Sequence, residues 1–344
     1  MQTPLIFNPL GDDNKESRSI WLGNTTNLMQ LNEVKYSWAT RLYQQMRQNF
    51  WLPEKIDLTQ DVTDYANLTE SEKRAYNGIL SYLTFLDSVQ TCNLPHIKSP
   101  ITAPEVNLCI SEQISQEAMH NASYQYVIET VIPSHQRNDI YNMWRNDAVL
   151  KHRCEYISCI YQDYINNPTE ENYFYALVAD YILESIYFYN GFMFYYGLAS
   201  RMLMSGTADM FKLINRDELS HVRLYQKLIP EAMNTFSFSE DKVYELFSEA
   251  VELEINWTNH IIGDDILGID RDSTDIYTKY LANIRLKAIG LNHLYSEAKY
   301  RKNPYKHLEN ISDTEDKATT KANFFESGVT SYSMSNSIGG WNDF

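Results

Sequence analysis

The sequence predicts an all-α fold, an almost entirely helical bundle followed by a polar tail. Three observations carry that reading. Gly and Pro number only 12 and 10 in 344 residues, so the signals that punctuate loops are scarce. The long stretches between them carry apolar residues at helical, not alternating, spacing. Helix-start patterns recur, most clearly Thr69 with Glu72 three residues on and Thr169 after the Asn167-Pro168 break.

Taken in order, one helix is predicted from Asn32 towards Gln48, and a second opens at Thr69 and continues past Asp87. A third starts after Pro104, carries Glu117, His120 and Tyr124, and ends before Pro133. A fourth occupies Gln136 to Tyr164. Thr169 caps a long helix that holds Glu184 and stops near Ser205 and Gly206, and the next carries Glu218 and His221 and ends before Pro230. Two more cover Ser239 to Ile262 and Thr274 to Tyr300, separated by a Gly- and Asp-containing loop. The organisation expected is an N-terminal extension over 1–30, one helical domain over 31–302 and a tail over 303–344. In the tail the composition turns to Ser, Thr, Asn, Lys and Glu, too poor in aliphatics to offset ordering entropy. Trp341 and Phe344 nevertheless stand in its last residues and suit a segment that orders on a partner. Ordinary terminal disorder explains them equally well.

A net charge of −16 and a pI near 4.9 argue against nucleic acid as a partner, because phosphate-backbone affinity rests on Lys and Arg. The most apolar stretch, Ile186 to Ala199, is too short to span a bilayer and reads as a core helix. Cys92, Cys109, Cys154 and Cys159 form no CxxC pair, and the N-terminus carries no targeting pattern, so a cytoplasmic protein is expected.

The chemistry resides in two ExxH pairs. Residues three apart on a helix lie about 60° around and roughly one turn along, so Glu117 and His120 can grip one ion together, and Glu218 and His221 repeat the arrangement. Either pair alone is common on solvated helical faces. The signal strengthens because Asp87 stands 30 residues before Glu117 and Glu184 stands 34 before Glu218. Both acids sit in apolar, aromatic sequence, where an ionised carboxylate is costly without a compensating cation. Together the six match the known ligand pattern of ferritin-like dimetal proteins, in which two helices each supply one carboxylate and two others an ExxH pair. Four carboxylates and two imidazoles balance two divalent ions and favour iron or manganese over copper or structural zinc. Tyr124, four residues after His120, lies on the same face within reach of the metals. With 26 Tyr in 344 residues, about one position in thirteen, that placement alone is modest support.

At these residues the chain resembles the small subunit of class I ribonucleotide reductase. FLDSVQ, EAMHNASY, ILESIYFY and INRDELSH look like its four ligand-bearing segments, in order, and the likeness runs from about Trp21 to Tyr300 and resumes in the tail at NFFESGVTSY. The resemblance implies a ferritin-like bundle with additional helices and a flexible C-terminal tail. It makes Asp87, Glu117 and His120 ligands of one ion and Glu184, Glu218 and His221 ligands of the other. Tyr124 becomes the site of a stored tyrosyl radical, with Phe188, Phe192 and Ile214 as its apolar pocket, though each is explained equally well as ordinary core. Trp51 in NFWLPEKIDL and Asp217 become a relay to His120, and a tail tyrosine, best matched by Tyr332 with Tyr305 or Trp341 as alternatives, passes the radical on. Asp at position 87 and Tyr at 124 resemble the tyrosyl-radical branch, not the branch with Glu and Phe there. The implied partners are a second copy in a homodimer and a large catalytic subunit met through the tail, for reduction of ribonucleotides to deoxyribonucleotides. Iron is the first expectation for the dinuclear centre; manganese, a mixed centre and a flavoprotein activator stay open. Two rivals remain on the residues alone, an oxidase or monooxygenase with the same six ligands and a non-catalytic metal store.

Overall fold

The computed structural model describes residues 4–309. Helices α1 (Ser37–Gln48), α2 (Thr59–Asn67), α3 (Glu70–Lys98), α4 (Pro104–Val131), α5 (Ser134–Asn146), α6 (Ala148–Asn166), α7 (Glu170–Ile182), α8 (Tyr189–Ala199), α9 (Ser205–Thr235), α10 (Glu240–Ile261), α11 (Arg271–Ala288) and the short α12 (Lys306–Glu309) dominate it. The described residues contain no strand, only the isolated bridges Trp21–Ile101 and Ile266–Ile269. The all-helical expectation holds.

Local chemistry accounts for the helix starts. Thr69 accepts from the Glu72 N–H while Glu72 returns a bond to the Thr69 N–H, a complete capping box. Thr169, Ser239 and Asp270 cap α7, α10 and α11 in the same way, each accepting from a backbone N–H three residues on. Besides the π turn that interrupts the long helix expected after Thr169, the elements depart from the expected ones in four places. Helix α2 has no counterpart among the expected helices. The single helix expected over 136–164 is two, because Asp147 adopts an extended conformation (φ −85°, ψ 121°) and caps α6 through the Val149 and Leu150 N–H groups. Helix α9 runs through Pro230 to Thr235, where burial of Ile229 and Ala232 offsets the missing N–H. Helix α11 stops at Ala288 instead of reaching Tyr300, since Gly290 (φ +90°) turns the chain while the Leu291 N–H bonds back to the Leu286 carbonyl.

Helices α3 and α4 lie along one another, α7 and α9 pair beside them, and α4 also meets α9, so four long segments surround one interior. Helices α5 and α6 cover α3, and α10 and α11 close the far side. Gly191 lets α8 approach α3: a Cβ there would lie 2.7 Å from the Tyr82 hydroxyl. The segment set apart as an extension contributes Ile20 and Trp21 to the core, with the Trp21 indole donating to Tyr173 Oη at 2.8 Å and Arg18 paired to buried Glu105 at 3.0 Å. At the other end Tyr305 and Leu308 are buried, so the packed part extends past 303. Tyr332, Trp341 and the rest of the expected tail lie outside the described residues.

Between α7 and α8 the helix widens into a π-helical turn, Leu183–Tyr187, and Glu184 stands in it. Such turns occur mostly as single insertions at functional sites. Widening frees carbonyls, and buried donors take them up: Arg153 Nη2 and Tyr82 Oη donate to the Tyr187 carbonyl at 2.6 and 3.3 Å, and Arg285 Nε donates to that of Ser185 at 3.3 Å.

Candidate metal centre

The interior of α3, α4, the π turn and α9 holds the six residues singled out in the sequence. Asp87, Glu117, His120 and Glu218 bring one potential ligand atom each to within 4.8 Å of one another, and so do Glu117, Glu184, Glu218 and His221. All six are fully buried. Glu117 and Glu218 therefore belong to both groups, whereas the sequence assigned one to each ion. Two carboxylates within reach of both sets would be available to each of two paired ions.

The distances define the two halves. His120 Nδ1 lies 3.0 Å from Glu218 Oε1, 3.7 Å from Glu117 Oε2 and 3.9 Å from Asp87 Oδ2. His221 Nδ1 lies 2.9 Å from Glu218 Oε2, 3.1 Å from Glu117 Oε1 and 3.2 Å from Glu184 Oε2. The rings are 6.0 Å apart. Both oxygens of Asp87 and of Glu117, with Glu218 Oε1 and His120 Nδ1, are buried without a hydrogen-bond partner. Six buried polar atoms converging without a hydrogen-bond partner are costly for a purely structural cluster. They fit two divalent cations, whose charge the four carboxylates balance.

The electrostatics agree. Burial, reinforced by Glu117 and Glu218, drives the Asp87 carboxyl well above its usual range, and burial with the same two neighbours does so for Glu184. Burial works against protonation of His120 and His221, but the surrounding carboxylates outweigh it and raise both. Acids and imidazoles holding protons this tightly express a local excess of negative charge, which a metal pair would relieve.

Around the ligands stand groups that fix them. His120 Nε2 is 3.3 Å from Asp217 Oδ2, and the same oxygen accepts from Trp51 Nε1 at 2.8 Å, so the three residues named as a relay are contiguous. Trp51 and His120 also stack, with centroids 6.5 Å apart. Arg216 donates to Asp217 Oδ1 at 3.2 Å and to the Asn49 carbonyl, holding the carboxylate from its outer side. On the other half, His221 Nε2 bonds Gln116 Oε1 at 2.9 Å, while Gln90 and Gln113 both donate to Glu184 Oε1, at 2.6 and 3.0 Å. One histidine thus leans on an anion and the other on a neutral amide. Sequence reasoning missed the three glutamines and Arg216. Helical spacing could have found them, since Gln90 is three residues after Asp87, Gln113 four before Glu117, and Gln116 and Arg216 are next to site residues.

Tyr124 is fully buried, its hydroxyl has no hydrogen-bond partner, and burial with the nearby Asp87 charge lifts its phenol well above the ordinary value. The ring packed on it is Phe211, at 5.8 Å and 25°, a residue the sequence did not single out. Phe192 packs on Phe211 and Phe188 on Phe192, with centroids 6.0 and 6.3 Å apart, and Ile214 is buried one turn beyond Phe211 on α9. The expected pocket residues lie in one apolar cluster, which Phe211 joins to the Tyr124 ring.

A family model described as ribonucleotide reductase, small chain, matches residues 28–304. The chain belongs to the ribonucleotide reductase small-chain family. It is 38% identical over 343 residues to the ribonucleoside-diphosphate reductase subunit beta of Treponema pallidum (strain Nichols), spanning 98% of this chain and 97% of that one. Among solved structures it superposes on the ribonucleotide reductase R2 subunit from Clostridium botulinum with TM-score 0.87 and 41% identity, covering 90% of this chain and 98% of the other. The Streptococcus sanguinis dimanganese(II)-NrdF crystal structure, at 22% identity and TM-score 0.71 over 82% of this chain and 99% of its own, shares the fold. The ribonucleotide reductase small chain is part of an oxidoreductase, carries a dinuclear metal site and works with a separate large subunit. Among the described residues no helix is long and apolar enough to cross a membrane.

Proposed function

We propose that the six buried residues hold two iron or manganese ions, with Glu117 and Glu218 shared between them, and that Tyr124 stores the oxidising equivalent as a tyrosyl radical. The carrying observation is the pair of four-residue groups that share those two glutamates. A bound dinuclear centre, with dioxygen or a reduced derivative as oxidant, supplies the one-electron oxidising power that the protein's own side chains lack. Iron remains the first expectation, and the Streptococcus sanguinis relative, solved with manganese, keeps manganese a live alternative.

The protein's own groups do the rest. Tyr124 loses an electron together with its phenolic proton, and Asp87 is the carboxylate whose charge acts most strongly on that phenol. Phe211, Phe192, Phe188 and Ile214 keep water and reductants away from the ring. Asp217 fixes the orientation of His120 and, through Trp51, links the centre to the loop between α1 and α2. In this reading Trp51, Asp217 and His120 conduct the radical outward and Tyr332 relays it to the large subunit, which reduces ribonucleoside diphosphates. A homodimer completes the proposal, without nucleic acid or membrane, and the need for a flavoprotein activator stays open.

The test is electron paramagnetic resonance of the metal-reconstituted chain. Wild type should show a tyrosyl radical, and Tyr124→Phe should lose the signal with unchanged metal content. A signal that persists in the variant would defeat the assignment, and metal analysis of the active protein would decide between iron and manganese.

A further inference from the structure

Beside the metal centre, on the neighbouring face of α9, lies a cavity of about 670 Å³ walled by α9, α11 and the segment 301–306. Its size falls within the range of small-molecule sites. Its lining is unusual for a chain of net charge −16: Arg223, Arg285, Arg301, Lys302 and Lys306 all face it, and no carboxylate among the described residues does. None of the five forms an ion pair among the described residues. The acceptors found for three of them are neutral, Gln45 Oε1 for Arg223 and the Ser185 and Ser296 carbonyls for Arg285 and Arg301. Like charges gathered without counter-charge repel one another, and a bound anion would remove that cost. Arg285 is only 8% exposed and forms part of the wall, so the charge is built into the fold and not confined to the rim.

The cavity is not merely cationic. Tyr277 and Tyr280 line it with rings 19° from parallel, which offers a flat aromatic wall beside the charges. Guanidinium groups match phosphate oxygens in pairs, and ammonium groups add point charge. We propose that the cavity binds a phosphorylated ligand of nucleotide size, its phosphates on Arg223, Arg301, Lys302 and Lys306 and its ring against Tyr280. This site is separate from the metal ligands. It stands whether or not Tyr124 carries a radical.

The experiment is calorimetric titration of the full-length chain, without its large partner, using magnesium-saturated ATP, tripolyphosphate and adenosine at about 0.1 M salt, where charge pairing is still felt. Magnesium ATP should bind once per chain, tripolyphosphate about tenfold more weakly, and adenosine not measurably. The double variant Arg301→Glu/Lys302→Glu should lose about tenfold in affinity for both phosphates, with circular dichroism and metal uptake unchanged. Tyr280→Ala should weaken ATP and leave tripolyphosphate alone. Absence of binding at millimolar ATP, or affinity indifferent to the charge reversal, overturns the site. Equal affinity for ATP and tripolyphosphate overturns its aromatic half. Binding seen only in a chain cut after Glu309 would assign the cavity to the acid-bearing residues that follow, Asp313, Glu315 and Asp316, and overturn the small-molecule reading.

Discussion

Asp217 shows how much of the site rests on single residues. Three neighbours converge on this one fully buried carboxylate: Trp51, Arg216 and His120. Removing it leaves His120 without its outer partner and the Trp51 indole without an acceptor. Asp217→Ala should therefore lower metal affinity or nucleotide reduction by about 10–100-fold, read by metal titration and by assay with the large subunit; wild-type values in both would remove Asp217 from the proposal. Asp180, one turn before Glu184, gives a pH-dependent counterpart. Burial lifts its carboxyl to about 7, although Tyr225 and Asn93 donate to it. A carboxyl raised in the folded state binds its proton more tightly there than when unfolded. Its contribution to stability is therefore lost as pH climbs from about 4 to about 7 and is flat above. In metal-free protein Asp180→Asn should be the more stable form at pH 8, by at most on the order of 4 kcal/mol, with the gap closing towards pH 4 in urea unfolding. The amide is accommodated because Asn93 Oδ1 has no partner and can accept from it once the Asn93 amide flips. A gap constant with pH would contradict the Asp180 assignment. The six candidate ligands, which the fold brings together, could be picked out in sequence because paired carboxylates and histidines at fixed helical spacing are rare in apolar surroundings. The glutamines were passed over, since an uncharged amide draws no attention by itself and becomes readable only through its helical spacing from the six residues.

The π turn is the element on which the second half of the site depends. Its sequence, LESIY, contains no Gly or Pro, and nothing in the local pattern distinguishes it from α-helix. The reason it forms lies in other helices: Arg153 from α6 and Arg285 from α11 supply the donors that a widened turn requires. The Asp147 break has a local cause instead, a side-chain cap that replaced the Gly or Pro that sequence reading looks for. Except for α2, the helical segments and their order were legible from periodicity. Interruptions were not, because side chains rather than Gly or Pro satisfy them, from other helices at the π turn and locally at Asp147. Arg153 is itself held by Glu254 at 2.6 Å and lies over the rings of Tyr82 and Tyr187, at 4.3 and 4.0 Å. Arg153→Met would strand Glu254 as a buried charge and should cost about 3–5 kcal/mol in urea unfolding. Adding Glu254→Gln removes the stranded charge while keeping an acceptor for Asn190, so the double variant should recover much of the loss. Recovery of stability without recovery of metal uptake would locate the function of Arg153 in the turn. A single variant as stable as wild type would refute the role given to the pair.

At the scale of the whole molecule, the centre and the surface must be connected. Every candidate ligand is fully buried, and Tyr124 and Trp51 are 0% and 3% exposed, so no partner can touch the proposed radical site directly. Delivery then needs a segment able to reach another protein, and the sequence after Glu309 offers Tyr332 with the apolar anchors Trp341 and Phe344. The site itself lies between Trp51 and His221, far in sequence from that segment, and all its residues are among the described ones. Deletion after Lys321 should therefore separate the two halves of the function. Metal content and the tyrosyl signal should match the full chain. Affinity for the large subunit should fall by about thirtyfold or more, the cost of losing one well-buried anchor of about 2 kcal/mol, and nucleotide reduction should fall with it. Saturating the truncated chain with large subunit then distinguishes docking from relay: reduction that stays absent at saturation places a conducting residue in the deleted segment, and reduction restored to the full rate would exclude Tyr332 and Trp341 from the path and leave the tail as an anchor alone.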